Sequence, residues 1–402
     1  MSHLNRRQAL RLFAAAGMAG TAAPILAACT SDSSPKANPA APSGPPIKIG
    51  MIVPQTGMFK DLGNELDNGF SLYLQLHDQK LGGRQVNLIK VDEGETAESG
   101  KAAAEKLVKE QKVLAVTGVV NPLSLLAMKD TIEAAQIPLI GSNASPAQLQ
   151  LMGPKYIWRT SFVSTEPGSA LARYAVANGG GPIAIVGQTG PGGDDDEVRT
   201  FAENLRSAGG TVAGTPRITP FGSKDFGNLF QQVKQSGAAA MYAIYSGATA
   251  VEFVKQYRAA HFPPTFKLFA PGSLTEGFVL KQLGDTAKDI YTALNYSPDL
   301  DNAANRRFIA DYQKAFGTVP STYAMASYDA AVVLDKAITD ATKSLDSFSL
   351  NAAIGRLGQI DSPRGGWQFS QTRSPLQRWY LRQVRFDGAV LSNVLTAELT
   401  TL

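Results

Sequence analysis

Few side chains in this chain of 402 residues could do covalent chemistry: one cysteine, Cys29, and three histidines, His3, His77 and His261. His77 falls late in a stretch of helical apolar spacing and His261 just precedes Phe262-Pro263-Pro264, so neither has an evident nucleophile beside it. No Gly-x-Ser-x-Gly elbow occurs, which leaves a hydrolase a weak alternative. Asp194-Asp195-Asp196-Glu197 offers the oxygen ligands that Ca²⁺ or Mg²⁺ prefers. Adjacent acids opening a helix are more simply surface charges favoured by the helix dipole, and no metal is expected. Gly187 to Gly193 is glycine-rich but lacks the Gly-Lys-Ser/Thr that cradles phosphates, so it reads as a flexible loop and no cofactor is expected.

Cys29 is informative through its position. It directly follows Leu26-Ala27-Ala28, at the end of an apolar run from Leu12 that begins behind Arg6, Arg7 and Arg11. A basic start, an apolar middle and small residues at the end make an export signal, here residues 1–28. Gly17, Gly20 and Pro24 interrupt a run already short of the roughly 20 residues that span a bilayer, so a retained membrane helix is disfavoured. Leu26-Ala27-Ala28-Cys29 resembles the bacterial lipobox, which implies lipidation of the Cys29 thiol. Asn5-Arg6-Arg7-Gln8-Ala9-Leu10 resembles a twin-arginine signal, and an ordinary basic start is the alternative. Two acyl chains hold a protein durably where one does not. The mature chain is therefore expected on the outer face of a membrane, with residues 29–46 as a Pro/Ser/Ala-rich tether that cannot fold.

The body from Ile47 to Leu402 exceeds the size at which single cores stop growing, so two lobes are the default. The net charge is +4, and Arg6, Arg7 and Arg11 leave with the signal, so the body is near neutral and gives no reason to expect nucleic acid. Strand patterns at 47–53, 86–91, 113–118 and 137–140 alternate with helical spacing. Leu62, Leu66, Phe70, Tyr73 and Leu74 form one stripe, Thr96 stands where a cap would, and Pro122 to Ala135 forms another helix. The alternation restarts at 182–187, 239–244 and 266–270, which predicts two doubly wound parallel-sheet α/β units in tandem. Ligands in such sheets sit in the loops beyond the carboxyl ends of the strands. Those loops supply Gln55, Thr56, Asn121, Asn143, Ser145, Ser246 and Gly272 as candidates.

Ile49 to Gly57, Gly69 to Tyr73, Ile137 to Ser142, Tyr156 to Ser161, Lys224-Asp225-Phe226, Pro320 to Ala324 and Tyr328-Asp329-Ala330 occur in an order and spacing that carry a likeness. Together they resemble the branched-chain amino-acid-binding, type I periplasmic solute-binding proteins of ABC importers. The resemblance implies two α/β lobes joined by three hinge crossings. It places lobe one at 47–161 plus 297–366 and lobe two at 162–296 plus 367–402.

The same resemblance implies that Asn143 and Ser145 offer a carbonyl and a hydroxyl to the ligand, with Ser145 equally readable as a helix N-cap. It aligns Asn121 with a position usually occupied by Ser or Thr, and Tyr323 with a ligand-contacting aromatic that could equally be core. Two departures stand out. The loop Gln188 to Gly193 has no aromatic where a tyrosine is common, and Gly272 replaces the acid that faces a ligand ammonium. Glu276 could substitute or be a solvated charge. Burying an ammonium without a carboxylate costs several kcal/mol. An amide, an organic acid or an aromatic compound therefore stays open beside an amino acid. The expected protein is a monomeric, non-enzymatic, lipid-anchored solute receptor working with an ABC permease, with a ligand-sensing receptor module as the alternative use of the same fold.

Overall fold

β1 (Ile47–Val53) is buried on both faces, as a central parallel strand must be. Ile49, Met51 and Val53 enter one core and Ile52 the opposite one, the period of two that a pleated strand dictates. The computed structural model describes residues 44–190, 193–341 and 345–402; Cys29, the leader and most of the tether lie outside them. Among the described residues no helix is long and apolar enough to cross a membrane.

β2 (Lys80–Leu81), β3 (Arg84–Asp92), β4 (Ala115–Gly118), β5 (Leu139–Gly141) and β6 (Ile157–Arg159) complete a first sheet in the order β2-β3-β1-β4-β5-β6. All its pairings are parallel except β2 with β3. Helix Lys60–Leu76 buries the expected Leu62, Leu66, Phe70, Tyr73 and Leu74. Thr96 caps helix Ala97–Glu105 in a reciprocal box with Ser99. Asn121 caps helix Pro122–Ala135, accepting from the Leu123 N–H at 2.9 Å.

The second sheet is built from β7 (Ile183–Gln188), β8 (Arg217–Thr219), β9 (Ala240–Ile244), β10 (Lys267–Pro271) and β11 (Tyr291–Leu294), all parallel. After β11 the chain returns to the first sheet. Helix Thr322–Asp340 packs on Lys60–Leu76, and a Cβ at Gly69 would lie 2.0 Å from the Ala324 carbonyl oxygen, so this close helix contact requires glycine. A short hairpin, β12 (Gln368–Phe369) with β13 (Pro375–Leu376), follows, and Trp367 and Phe369 pack into the first core. The chain then ends in the long antiparallel ribbon β14 (Arg378–Asp387) and β15 (Val390–Thr401), giving a second sheet ordered β15-β14-β11-β10-β9-β7-β8.

Each sheet thus carries the doubly wound 2-1-3-4-5 order, with strand order reversing between β1 and β4 in one and between β7 and β9 in the other. Those reversals open crevices at the strand ends. The ribbon is the element that sequence patterning does not reveal. Its alternation is broken by register shifts at Trp379/Tyr380 and Leu381/Arg382, and it carries the fully buried Arg382.

Candidate functional site

The first crevice is lined by the loops after β1, β4 and β5. Gln55 and Thr56 are exposed there and tied to the end of β3, the Gln55 N–H and the Thr56 hydroxyl donating to the two Asp92 carboxylate oxygens at 2.8 Å each. The loop after β4 is held in a strained shape. Val119 takes φ +67°, a region β-branched residues avoid, at a cost of about 1–3 kcal/mol. It is fixed by its N–H on the Ile52 carbonyl at 2.7 Å and by the buried Glu93 carboxylate, which accepts the Val120 and Asn121 N–H groups at 2.8 Å each. Burial pushes the Glu93 carboxyl up to about 7. Asn121 is consequently engaged on every side, its amide also donating to the Glu95 carbonyl at 3.2 Å.

In the loop after β5, the Asn143 amide donates to the Val120 carbonyl at 3.2 Å. The Ser145 hydroxyl lies 2.6 Å from that of Ser161 and 3.1 Å from the Asn143 carbonyl. Ser145 is not a helix cap, because Ala147 is the residue that caps the short helix Gln148–Leu151. The Ala147 N–H, suited to an anion, is already taken at 3.0 Å by Asp196 from the opposite crevice, which also accepts from the Ser164 hydroxyl at 2.6 Å. This corrects the expectation of a solvated acidic run. Asp196 and Glu197 are buried, and Glu197 accepts from the Tyr242 hydroxyl and is raised to about 8 by desolvation. Among the described residues no group of three or more acidic, His or Cys side chains is arranged to hold a metal ion.

In the second crevice Ser246 is half-buried at the start of helix Gly247–Ala259 and makes no side-chain cap bond. The loops of the two crevices touch. The ring of Phe59 stands 6.2 Å from that of Phe221, and a Cβ on Gly247 would lie 3.2 Å from Phe59.

Gly272 follows β10 and is buried. A Cβ there would come within 2.6 Å of Leu294 and 2.9 Å of the Arg382 guanidinium, so any side chain at this position must displace one of them. Glu276 does not replace it as a free acid, nor is it solvated. It is buried, accepting from Arg382 Nη1 at 2.7 Å and from the Thr322 N–H at 2.8 Å. Tyr323, in the first turn of helix Thr322–Asp340, is only 5 % exposed and belongs to the first core.

Three chain segments run between the sheets, and Arg364 and Asn295 together tie them to one another. The buried Arg364 guanidinium donates to the carbonyls of Thr160 and Ser161 in the first crossing, to the Gln377 side chain in the last, and to Asp329 at 2.6 Å. Asn295 in the second crossing donates to Gln377 at 2.8 Å and to the Ser161 carbonyl at 3.4 Å. Ser362 and the Trp367 indole also donate to Asp329, at 2.8 and 3.1 Å. Sequence reading touches Asp329 only as part of a resembling stretch and misses Arg364, Gln377, Glu93 and Arg382. Their partners lie far away in the chain, and no local spacing announces them.

Two α/β lobes on a three-segment hinge, with strand-end loops facing one another, define a protein that binds a small molecule by closing around it. Residues 46–389 match the family model described as periplasmic binding protein. A Leu/Ile/Val-binding protein homolog 6 of Brucella melitensis is 30% identical over 346 residues, covering 84% of this chain and 87% of the relative. A solute-binding protein of an ABC transporter from R. palustris, in complex with benzoate, is 27% identical with a TM-score of 0.81, covering 88% of this chain and 97% of that one. Another, from Rhodopseudomonas palustris BisB5 in complex with 3,4-dihydroxy benzoic acid, is 27% identical with a TM-score of 0.82, covering 88% and 96%. The chain belongs to the periplasmic binding protein family, among the Leu/Ile/Val-binding-type solute-binding proteins of ABC transporters. This family binds solutes without catalysis and works outside the cytoplasm.

Proposed function

We propose that this protein is a lipid-anchored receptor that captures a small aromatic carboxylate and hands it to an ABC importer permease. The observation that carries the reading is the Gly272–Arg382 contact. Where an amino-acid binder needs an acid against the ligand ammonium, this chain has glycine, closely covered by Leu294 and the buried Arg382 guanidinium. Of the neighbouring carboxylates, Glu276 is committed to Arg382 and the Thr322 N–H, and Glu65 accepts the Phe278 N–H at 3.1 Å through one oxygen and lies beneath Gly277. An unpaired ammonium would lose several kcal/mol on entering, whereas a ligand without one loses nothing there. Relatives in complex with benzoate and 3,4-dihydroxy benzoic acid support the same ligand class.

In this reading Gln55, Thr56, Asn143, Ser145, Ser246 and Tyr323 surround the ligand, and Phe59 and Phe221 cover its ring. Asn121 and Gly272 shape the cleft without bonding the ligand. Cys29 supplies the anchor, and residues 29–46 the tether.

The name of the Brucella relative favours a second reading, a branched-chain amino acid. Calorimetry on the mature chain decides between them. Benzoate, 4-hydroxybenzoate or 3,4-dihydroxybenzoate is expected to bind at about micromolar Kd, or about −8 kcal/mol, with leucine, isoleucine and valine at least tenfold weaker. Tighter binding of any of the three amino acids than of every benzoate would overturn the proposal.

A further inference from the structure

We propose that Glu65 and Glu276 form a reciprocal clasp between the lobes, and that Glu65 couples closure to the uptake of a proton. Each acid leaves its own lobe. Glu65, on helix Lys60–Leu76 of the first lobe, accepts the Phe278 N–H of the second at 3.1 Å. Glu276, in the loop after β10 of the second lobe, accepts the Thr322 N–H at the start of the first lobe's long helix at 2.8 Å. Between them Gly277 lies flat on the Glu65 carboxylate, where a Cβ would fall 2.5 Å from both of its oxygens. The Phe278 ring packs against the cores of both lobes.

The two acids are not equivalent. Glu276 is neutralised by Arg382 at 2.7 Å. Glu65 has no such partner. The Ser321 hydroxyl, Glu276, Lys281 and the phenols of Tyr312 and Tyr323 face it, with Arg382 beyond Glu276, and only Lys281 among the nearest charges favours its ionised form. Loss of water in the closed clasp pushes the Glu65 carboxyl up to about 7.

When the lobes part, the 276–278 loop leaves and Glu65 regains water, so its carboxyl falls back toward the ordinary range near 4.5. The closed form then holds a proton that the open form releases. Closure is strongest below the open-state value and weakens as the pH rises through about 7. A protonated Glu65 still accepts the Phe278 N–H through its carbonyl oxygen, so the clasp survives the proton. The solute would be held more firmly in an acidic surrounding and released more readily toward neutral pH.

Small-angle X-ray scattering on the ligand-free mature chain, at pH 5.5 and 8.5, tests this without relying on any ligand assignment. The wild type is expected to be more compact at pH 5.5, its closed-to-open ratio falling by about tenfold at pH 8.5. Glu65→Gln, which keeps the acceptor and loses the charge, should stay compact at both. Lys281→Met, which removes the one favourable cation from the ionised closed form, should be as compact as the wild type at pH 5.5 and more open than it at pH 8.5. A wild type that does not change with pH, or a Glu65→Gln variant that keeps the wild-type response, would overturn the proposal. Failure of the benzoates to bind would overturn the ligand assignment and leave this result standing.

Discussion

At the scale of single residues, function turns on positions whose meaning lies across the fold. Gly272 is visible in the sequence as a missing acid, but what fills the space is Arg382, 110 positions on, and only the structure pairs them. Gly272→Asp should therefore not restore amino-acid binding. It would press on Leu294 and Arg382, and a loss of about 1–3 kcal/mol of stability, measured by urea unfolding, is expected. Arg364→Ala leaves Asp329 buried beside the hinge without its guanidinium, which should cost about 3–5 kcal/mol in the same measurement. Ser145→Ala tests the proposed ligand contact. It should weaken benzoate binding by about 1 kcal/mol or more in calorimetry, and unchanged affinity would remove Ser145 from the site.

At the scale of elements, the strand-end loops are shaped by buried acids. Glu93 fixes the strained turn at Val119, and Glu197 bonds Tyr242 inside the second lobe. Burial raises Glu93 and Glu166 to about 7 and Glu197 to about 8. An acid raised on folding holds its proton more tightly in the native state, so its contribution is complete below about 4.5 and is lost as pH rises through 7 to 8. The melting temperature should fall between pH 5.5 and 8.5, and Glu197→Gln should flatten the upper part of that fall. The apolar strands and the cap at Thr96 were legible because they depend on residues a few positions apart, whereas Asn121, read as a ligand contact, proves to be a cap. The ribbon was not, since β14 is interrupted by charges and two register shifts that only its pairing with β11 and β15 explains.

At the scale of the molecule, affinity depends on the difference between open and closed states rather than on the number of ligand contacts. The lobes already meet through Phe59 with Phe221, Ala147 with Asp196, and the Glu65–Glu276 clasp. A ligand that adds contacts from both sides should raise the melting temperature with concentration, following mass action, and a benzoate at 100 times its Kd should add about 2.7 kcal/mol. Where the molecule works is tested separately. Cys29→Ser should move the protein from the membrane fraction to the soluble extracytoplasmic fraction, because the thiol is the proposed point of acylation.

By itself the sequence showed the basic, apolar and small-residue pattern that ends at Cys29 and the alternation of apolar strands with amphipathic helices, since each is a matter of short-range spacing. It also showed, in Gly272, that an expected charge was absent. The tertiary structure alone decided which acids are buried and what they hold: Asp196 and Glu276 reach across between lobes, and Arg364 binds the first and last crossings while Asn295 ties in the second. Burial and pairing of charge depend on neighbours brought from distant parts of the chain, and a buried carboxylate has the same letter in the sequence as a solvated one.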